Sequence, residues 1–84
     1  MSKKEKLISR FTTLPKDFTW NELKALLESF GFEEFQAGKT SGSRVRFYQE
    51  NYPPILIHKP HPGKILKLYQ MKIIKEYLEI EDFL

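Results

Sequence analysis

The chain has 84 residues, no cysteine, 40% hydrophobic residues and a formal net charge of +3. That length holds one domain, which buries only about 60% of its unfolded surface and has no room for a second lobe. Without cysteine, disulfides, thiolate metal sites and thiol catalysis are excluded. No segment reaches the roughly 20 apolar residues of a membrane span, and the start Met1-Ser2-Lys3-Lys4-Glu5-Lys6 lacks the apolar run of a secretory signal. A soluble cytoplasmic protein is expected.

Residues 1–15 read as a flexible basic N-terminal arm, with Phe11 and Leu14 as its docking residues, ahead of one domain over 16–84. Thr19 followed by Glu22 is a capping box, and Phe18 before the cap is placed to staple onto Leu23. Trp20, Leu23, Leu26, Leu27 and Phe30 then recur at helical spacing, and Gly31 supplies the left-handed stop.

Phe32 to Ala37 reads as a short strand with Phe35 and Ala37 inward, and Gly38 to Ser43 as a turn. From Arg44 to Gln49 the pattern alternates, with Val45 and Phe47 on one face and Arg44, Arg46 and Tyr48 on the other. Ile55 to His58 gives a third strand, Ile55 and Ile57 inward, Leu56 and His58 outward.

Beyond the proline-bounded loop 59–63, Ile65, Leu66, Leu68, Tyr69, Ile73, Ile74, Tyr77 and Leu78 return at helical spacing. The order predicts an α+β fold of the form α-β-β-β-α, a three-stranded antiparallel sheet with two helices on one face. The opposite face, bearing Arg44, Arg46 and His58, is left open.

Charge is unevenly spread. Residues 39–75 carry eight Lys and Arg against the single acid Glu50, whereas 22–34 and the tail after Lys75 are acidic. Such asymmetry favours a polyanion on one face. On Lys67, Lys72 and Lys75 alone, the ordinary reading is a solvated helix face.

Both histidines fall in the run Ile57-His58-Lys59-Pro60-His61-Pro62-Gly63-Lys64. Histidine is the side chain whose ordinary pKa lets it carry protons near neutral pH, and RNA brings its own nucleophile in the 2′-hydroxyl. His61 and His58 are therefore the candidate catalytic residues. Arg44 and Arg46, whose planar forks suit phosphate, are the candidate phosphate ligands, with Lys39, Ser43, Lys59 and Lys64 as secondary contacts. Tyr48 is placed to stack on a base. No spacing of His, Asp and Glu reads as a metal site, and no cofactor is expected.

The motifs Phe30-Gly31-Phe32, Gly42-Ser43 with Phe47 downstream, Pro60-His61-Pro62 and the helical stretch Lys64 to Leu78 follow one another in the order seen in the HicA toxins of bacterial HicA–HicB toxin–antitoxin pairs. The chain resembles that family over roughly residues 18–80. The resemblance implies a fold similar to the double-stranded-RNA-binding domain, a metal-independent endoribonuclease acting on mRNA, and a HicB-like antitoxin as inhibitor.

It favours His61, which lies in the matching Pro-His-Pro element. Where the family motif has histidine after Gly-Ser, this chain has Arg44, which stays protonated and cannot act as a base. Two other readings stand beside the nuclease: a non-catalytic RNA-binding module of the same fold, and a small basic interaction protein with an acidic partner.

Overall fold

The computed structural model describes residues 3–36, 44–60 and 64–84. Its elements are α1 (Lys3–Thr12), α2 (Trp20–Ser29), β1 (Glu33–Gln36), β2 (Arg44–Tyr48), β3 (Ile55–His58) and α3 (Leu68–Ile80). The strands form one antiparallel sheet in the order β1-β2-β3. The expected α+β architecture is present, with an additional helix at its N-terminal end.

The capping box at α2 forms as its residues dictate. Thr19 Oγ1 accepts the Glu22 N–H at 3.1 Å, and Glu22 Oε1 accepts the Thr19 N–H at 3.0 Å. At the other end Gly31 adopts φ +99°. The Phe32 N–H then reaches the Leu27 carbonyl and the Gly31 N–H the Glu28 carbonyl, each at 3.0 Å. This paired closure satisfies carbonyls that a helix end otherwise leaves open. α3 ends in the same way around Asp82 at φ +63°.

Residues 3–12 are not the expected arm but α1. Its Phe11 is fully buried, and Leu7, Ile8 and Leu14 pack against the same core. The apolar spacing Leu7, Ile8, Phe11 places these side chains on one helical face, and Leu14 follows beyond the helix end at φ +53°. α1 runs antiparallel to α2. Lys4 Nζ lies 5.4 Å from the Phe30 ring centroid at one end, and Arg10 contacts Glu22 at the other. A ten-residue helix is marginal alone, so tertiary packing holds it.

β2 and β3 alternate as expected. Val45, Phe47, Ile55 and Ile57 are buried in one cluster with Trp20, Leu23, Leu26, Leu27, Met71, Ile74 and Leu78. The helices therefore cover a single sheet face.

β1 departs from expectation. Phe35 is 43% exposed and points outward, while Phe32, before the strand, is the buried aromatic. The register pairs Glu34 with the buried Phe47 and Phe35 with the exposed Arg46, so Glu34 takes the inward side. Its carboxylate is held there by Trp20 Nε1–H at 3.2 Å and Lys24 Nζ at 3.1 Å.

The second expected helix starts later than the spacing indicated. Lys64 to Lys67 is extended and bonds to the chain entering α2. Trp20 N–H donates to the Lys64 carbonyl at 2.6 Å, and Leu66 N–H to the Phe18 carbonyl at 2.8 Å. Leu66 is buried, whereas Ile65, Leu68, Tyr69 and Ile73 are exposed. The buried stripe of α3 is Met71, Ile74 and Leu78, together with Gln70.

Candidate functional site

Antiparallel pairing sets the outward side chains of the sheet in rows. Arg44 stands opposite His58, Arg46 lies between Phe35 and Leu56, and Tyr48 stands opposite Glu33. Directly opposed side chains have Cβ atoms about 4.5–5.5 Å apart. The Arg44 guanidinium and the His58 imidazole thus start from adjacent positions on the same exposed face. Outward alternation of both strands puts these residues on one face, and the register of the pair sets them opposite each other.

Arg46 is positioned by rings. Its guanidinium carbon lies 5.9 Å from the Phe35 centroid and 5.7 Å from the Tyr48 centroid. Both distances fall within cation–π range. The two rings are 6.4 Å apart at 73°.

The backbone of His58 is tied down by α3. Gln70 Nε2 donates to the His58 carbonyl at 2.9 Å, and Gln70 Oε1 accepts the Lys67 N–H at 3.1 Å. Gln70 is the one buried polar side chain among the described residues, 7% exposed. It couples the first turn of α3 to the end of β3. The available signal was its being the one amide side chain between Ile65 and Leu78, in a stretch whose other hydrophilic positions are charged residues or tyrosines. His58 also borders an apolar groove of ≈ 110 Å³ between β3 and α3, flanked by Leu56, Tyr69 and Ile73.

The secondary basic residues separate. Lys59 leaves the outward row: its ammonium lies 5.8 Å from the centroid of the buried Trp20 ring, toward the helix layer. Lys64 is exposed in the extended segment beside Thr19 and Trp20. Lys39, Ser43 and His61 lie outside the described residues, as do the turn 38–43 and the Pro62-Gly63 end of the second loop.

In the acidic stretch 22–34, Glu22 and Glu34 serve the scaffold. Arg10 Nε donates to Glu22 Oε2 at 2.8 Å, and an Arg10 terminal nitrogen meets Asp17 at 3.0 Å. The hydrogen bond from Arg10 lowers the Glu22 carboxyl below its ordinary 4.5, with the Thr19 N–H and hydroxyl adding to it against partial burial. The bonds to Glu22 and Asp17 raise Arg10 in turn, and the bond to Glu34 raises Lys24.

Among the described residues no group of three His, Asp or Glu could hold a metal ion, and no helix is long and apolar enough to cross a membrane. The open face therefore presents two guanidiniums, an imidazole and two aromatic rings. That set can bind an anion, move a proton and pack against a planar group.

No curated protein and no solved structure matches the chain. A family model described as the HicA toxin of bacterial toxin–antitoxin systems matches residues 20–80, from the first residue of α2 to the last of α3. The chain belongs to the HicA toxin family and is thereby a toxin of a toxin–antitoxin pair.

Proposed function

We propose that this toxin is a metal-independent endoribonuclease that binds and cleaves mRNA in the cytoplasm and is neutralised by a HicB-like antitoxin. The observation that carries the reading is the pairing of Arg44 with His58 across β2 and β3 on the exposed sheet face. A cation and a proton carrier side by side are what RNA cleavage through its own 2′-hydroxyl needs.

In this reading Arg44 grips the scissile phosphate and Arg46, on the same face, adds its charge, so that both offset the negative charge gathered in the transition state. A histidine takes the 2′-hydroxyl proton as the 2′-oxygen bonds to phosphorus. The bond from phosphorus to the 5′-oxygen breaks, and that oxygen receives a proton. The products are a 2′,3′-cyclic phosphate and a 5′-hydroxyl. His58 and His61 are the two proton carriers the chain has to offer. The position opposite Arg44 supports His58, and the Pro60-His61-Pro62 match to the family motif supports His61. Lys39, Ser43 and Lys64 are secondary phosphate contacts in this reading, whereas Lys59, whose ammonium turns toward Trp20, is set aside from the phosphate site.

A second reading, an RNA-binding module that does not cut, is favoured by one feature. Arg44 stands where the family motif carries a histidine, and arginine cannot accept a proton.

Inducible expression with and without the antitoxin, followed by mapping of cellular RNA ends, separates the two. The nuclease reading expects growth arrest and new 5′-hydroxyl ends, both suppressed by the antitoxin. It also expects the His58→Ala, His61→Ala double variant to lose them. Undiminished cleavage by that double variant removes both histidines from the mechanism. RNA binding without new ends leaves the non-catalytic module.

A further inference from the structure

The open sheet face holds more than cations. Phe35 and Tyr48 are each 43% exposed, although large aromatic side chains are costly to leave in water, and they stand on neighbouring strands with Arg46, directly opposite Phe35, lying against both. The rings lie at 73°, so one presents a face where the other presents an edge. The Arg46 guanidinium, within 6 Å of both centroids, adds a third planar surface.

The face is also polarised. Glu33 stands beside Tyr48 at one end, and Arg44 and His58 stand at the other. A phosphate is repelled from the first end and drawn to the second.

We propose that Phe35, Arg46 and Tyr48 form a stacking platform for an unpaired RNA base, which sets the neighbouring phosphate at Arg44 and His58. The substrate class is then single-stranded RNA. This rests on reading the chain as an RNA-binding toxin, and it adds how the RNA is held. A paired base is already stacked within its helix and cannot lie on the rings. An unpaired base can, and arginine planes and aromatic rings are the usual partners for splayed bases. The contact uses the π-face common to all four bases, so it discriminates pairing state more than sequence. The rings do not serve the core, because the buried cluster is closed on the opposite side of the sheet by Val45, Phe47, Ile55 and Ile57.

The test is binding by fluorescence anisotropy of the full chain to a labelled 2′-O-methyl RNA strand, which lacks the attacking hydroxyl, and to a duplex of the same length. Wild type is expected to bind the single strand at least tenfold more tightly. Phe35→Leu and Tyr48→Leu, which keep apolar bulk but lose the ring, are each expected to weaken single-strand binding by roughly 5- to 100-fold. Duplex binding should stay as it was, and Tyr48→Phe should keep wild-type affinity. Circular dichroism melts establish that the exposed-site variants are folded.

Leucine variants that bind the single strand as wild type does overturn the platform. If wild type still cleaves RNA in that case, the nuclease reading stands without it. Equal affinity for strand and duplex also overturns the platform, and binding to neither overturns both readings. Leucine variants that lose only antitoxin binding make the face a protein interface and sink the proposal.

Discussion

The buried side-chain amide of Gln70 donates to the backbone carbonyl of His58 at 2.9 Å while its oxygen accepts the Lys67 N–H at 3.1 Å. One residue thus closes the start of α3 and fixes the end of β3. Gln70→Leu keeps the volume and removes both bonds, leaving two backbone groups without their partner. A loss of about 1–3 kcal/mol in urea unfolding is expected. The defect falls at His58, so RNA cleavage should drop beyond what the unfolded fraction explains. Stability equal to wild type would show that water replaces the glutamine freely.

Removing the imidazole tests the proton carrier directly. His58→Ala is expected to reduce RNA cleavage by roughly 10²- to 10⁴-fold if it supplies general acid–base assistance, with little change in the melting temperature because the side chain is exposed. Arg44→Ala should instead weaken RNA binding and lower the slope of log affinity against log salt by about one. A His58→Ala variant with full cleavage would transfer the role to His61.

Gly31 is a point where backbone and packing constrain the same atom. Its φ of +99° disfavours any L side chain, and a Cβ would sit 2.7 Å from Gln49 Nε2. Gly31→Ala is expected to cost about 1–3 kcal/mol, from strain at this φ and displacement of Gln49. Equilibrium denaturation measures it, and a neutral result would mean the turn after α2 relaxes at no cost.

α1 is expected to be integral to the fold. Phe11 is fully buried and lies 5.2 Å from the Phe18 ring, next to the α2 cap. Phe11→Ala should destabilise the chain by about 3–5 kcal/mol, the usual range for truncating a buried aromatic. Amide exchange would show protection lost in residues 3–12 before α2. Wild-type stability in this variant would return these residues to the status of an arm.

The Arg10–Glu22 contact gives an acid limb to the stability profile. The folded-state carboxyl of Glu22 lies below its ordinary 4.5, chiefly through the Arg10 hydrogen bond. A depressed carboxylate contributes stability that is fully present above its unfolded value and is lost as pH falls through the folded one. Its contribution should therefore be constant above about pH 5 and fade below about 4.5. Glu22→Gln is expected to flatten that part of the curve of unfolding midpoint against pH. An unchanged acid limb would place the titrating group elsewhere.

Local patterns were enough for α2, β2 and β3. A capping box, a glycine stop and strict alternation act between near neighbours in sequence, so Thr19, Glu22, Gly31, Val45 and Phe47 could be placed without knowing the rest of the fold. The outward positions of Arg44, Arg46 and His58 follow from the same alternation.

Other features depended on partners distant in the chain. In the strand Glu33-Glu34-Phe35-Gln36, hydrophobicity points Phe35 inward, but pairing with β2 turns it out and brings Glu34 to Trp20 and Lys24. Leu66 lies at helical spacing from its successors, yet its N–H bonds to Phe18 and holds the segment extended. Phe11 makes residues 3–12 a helix only because Phe18 and the α2 core are there to cover it.

The opposition of Arg44 and His58 was also decided by tertiary structure, through the register of two strands joined across residues 49–54. Side-chain periodicity assigns a residue to a face. Register, which depends on long-range hydrogen bonds and the packing beneath the sheet, decides which residue it meets there.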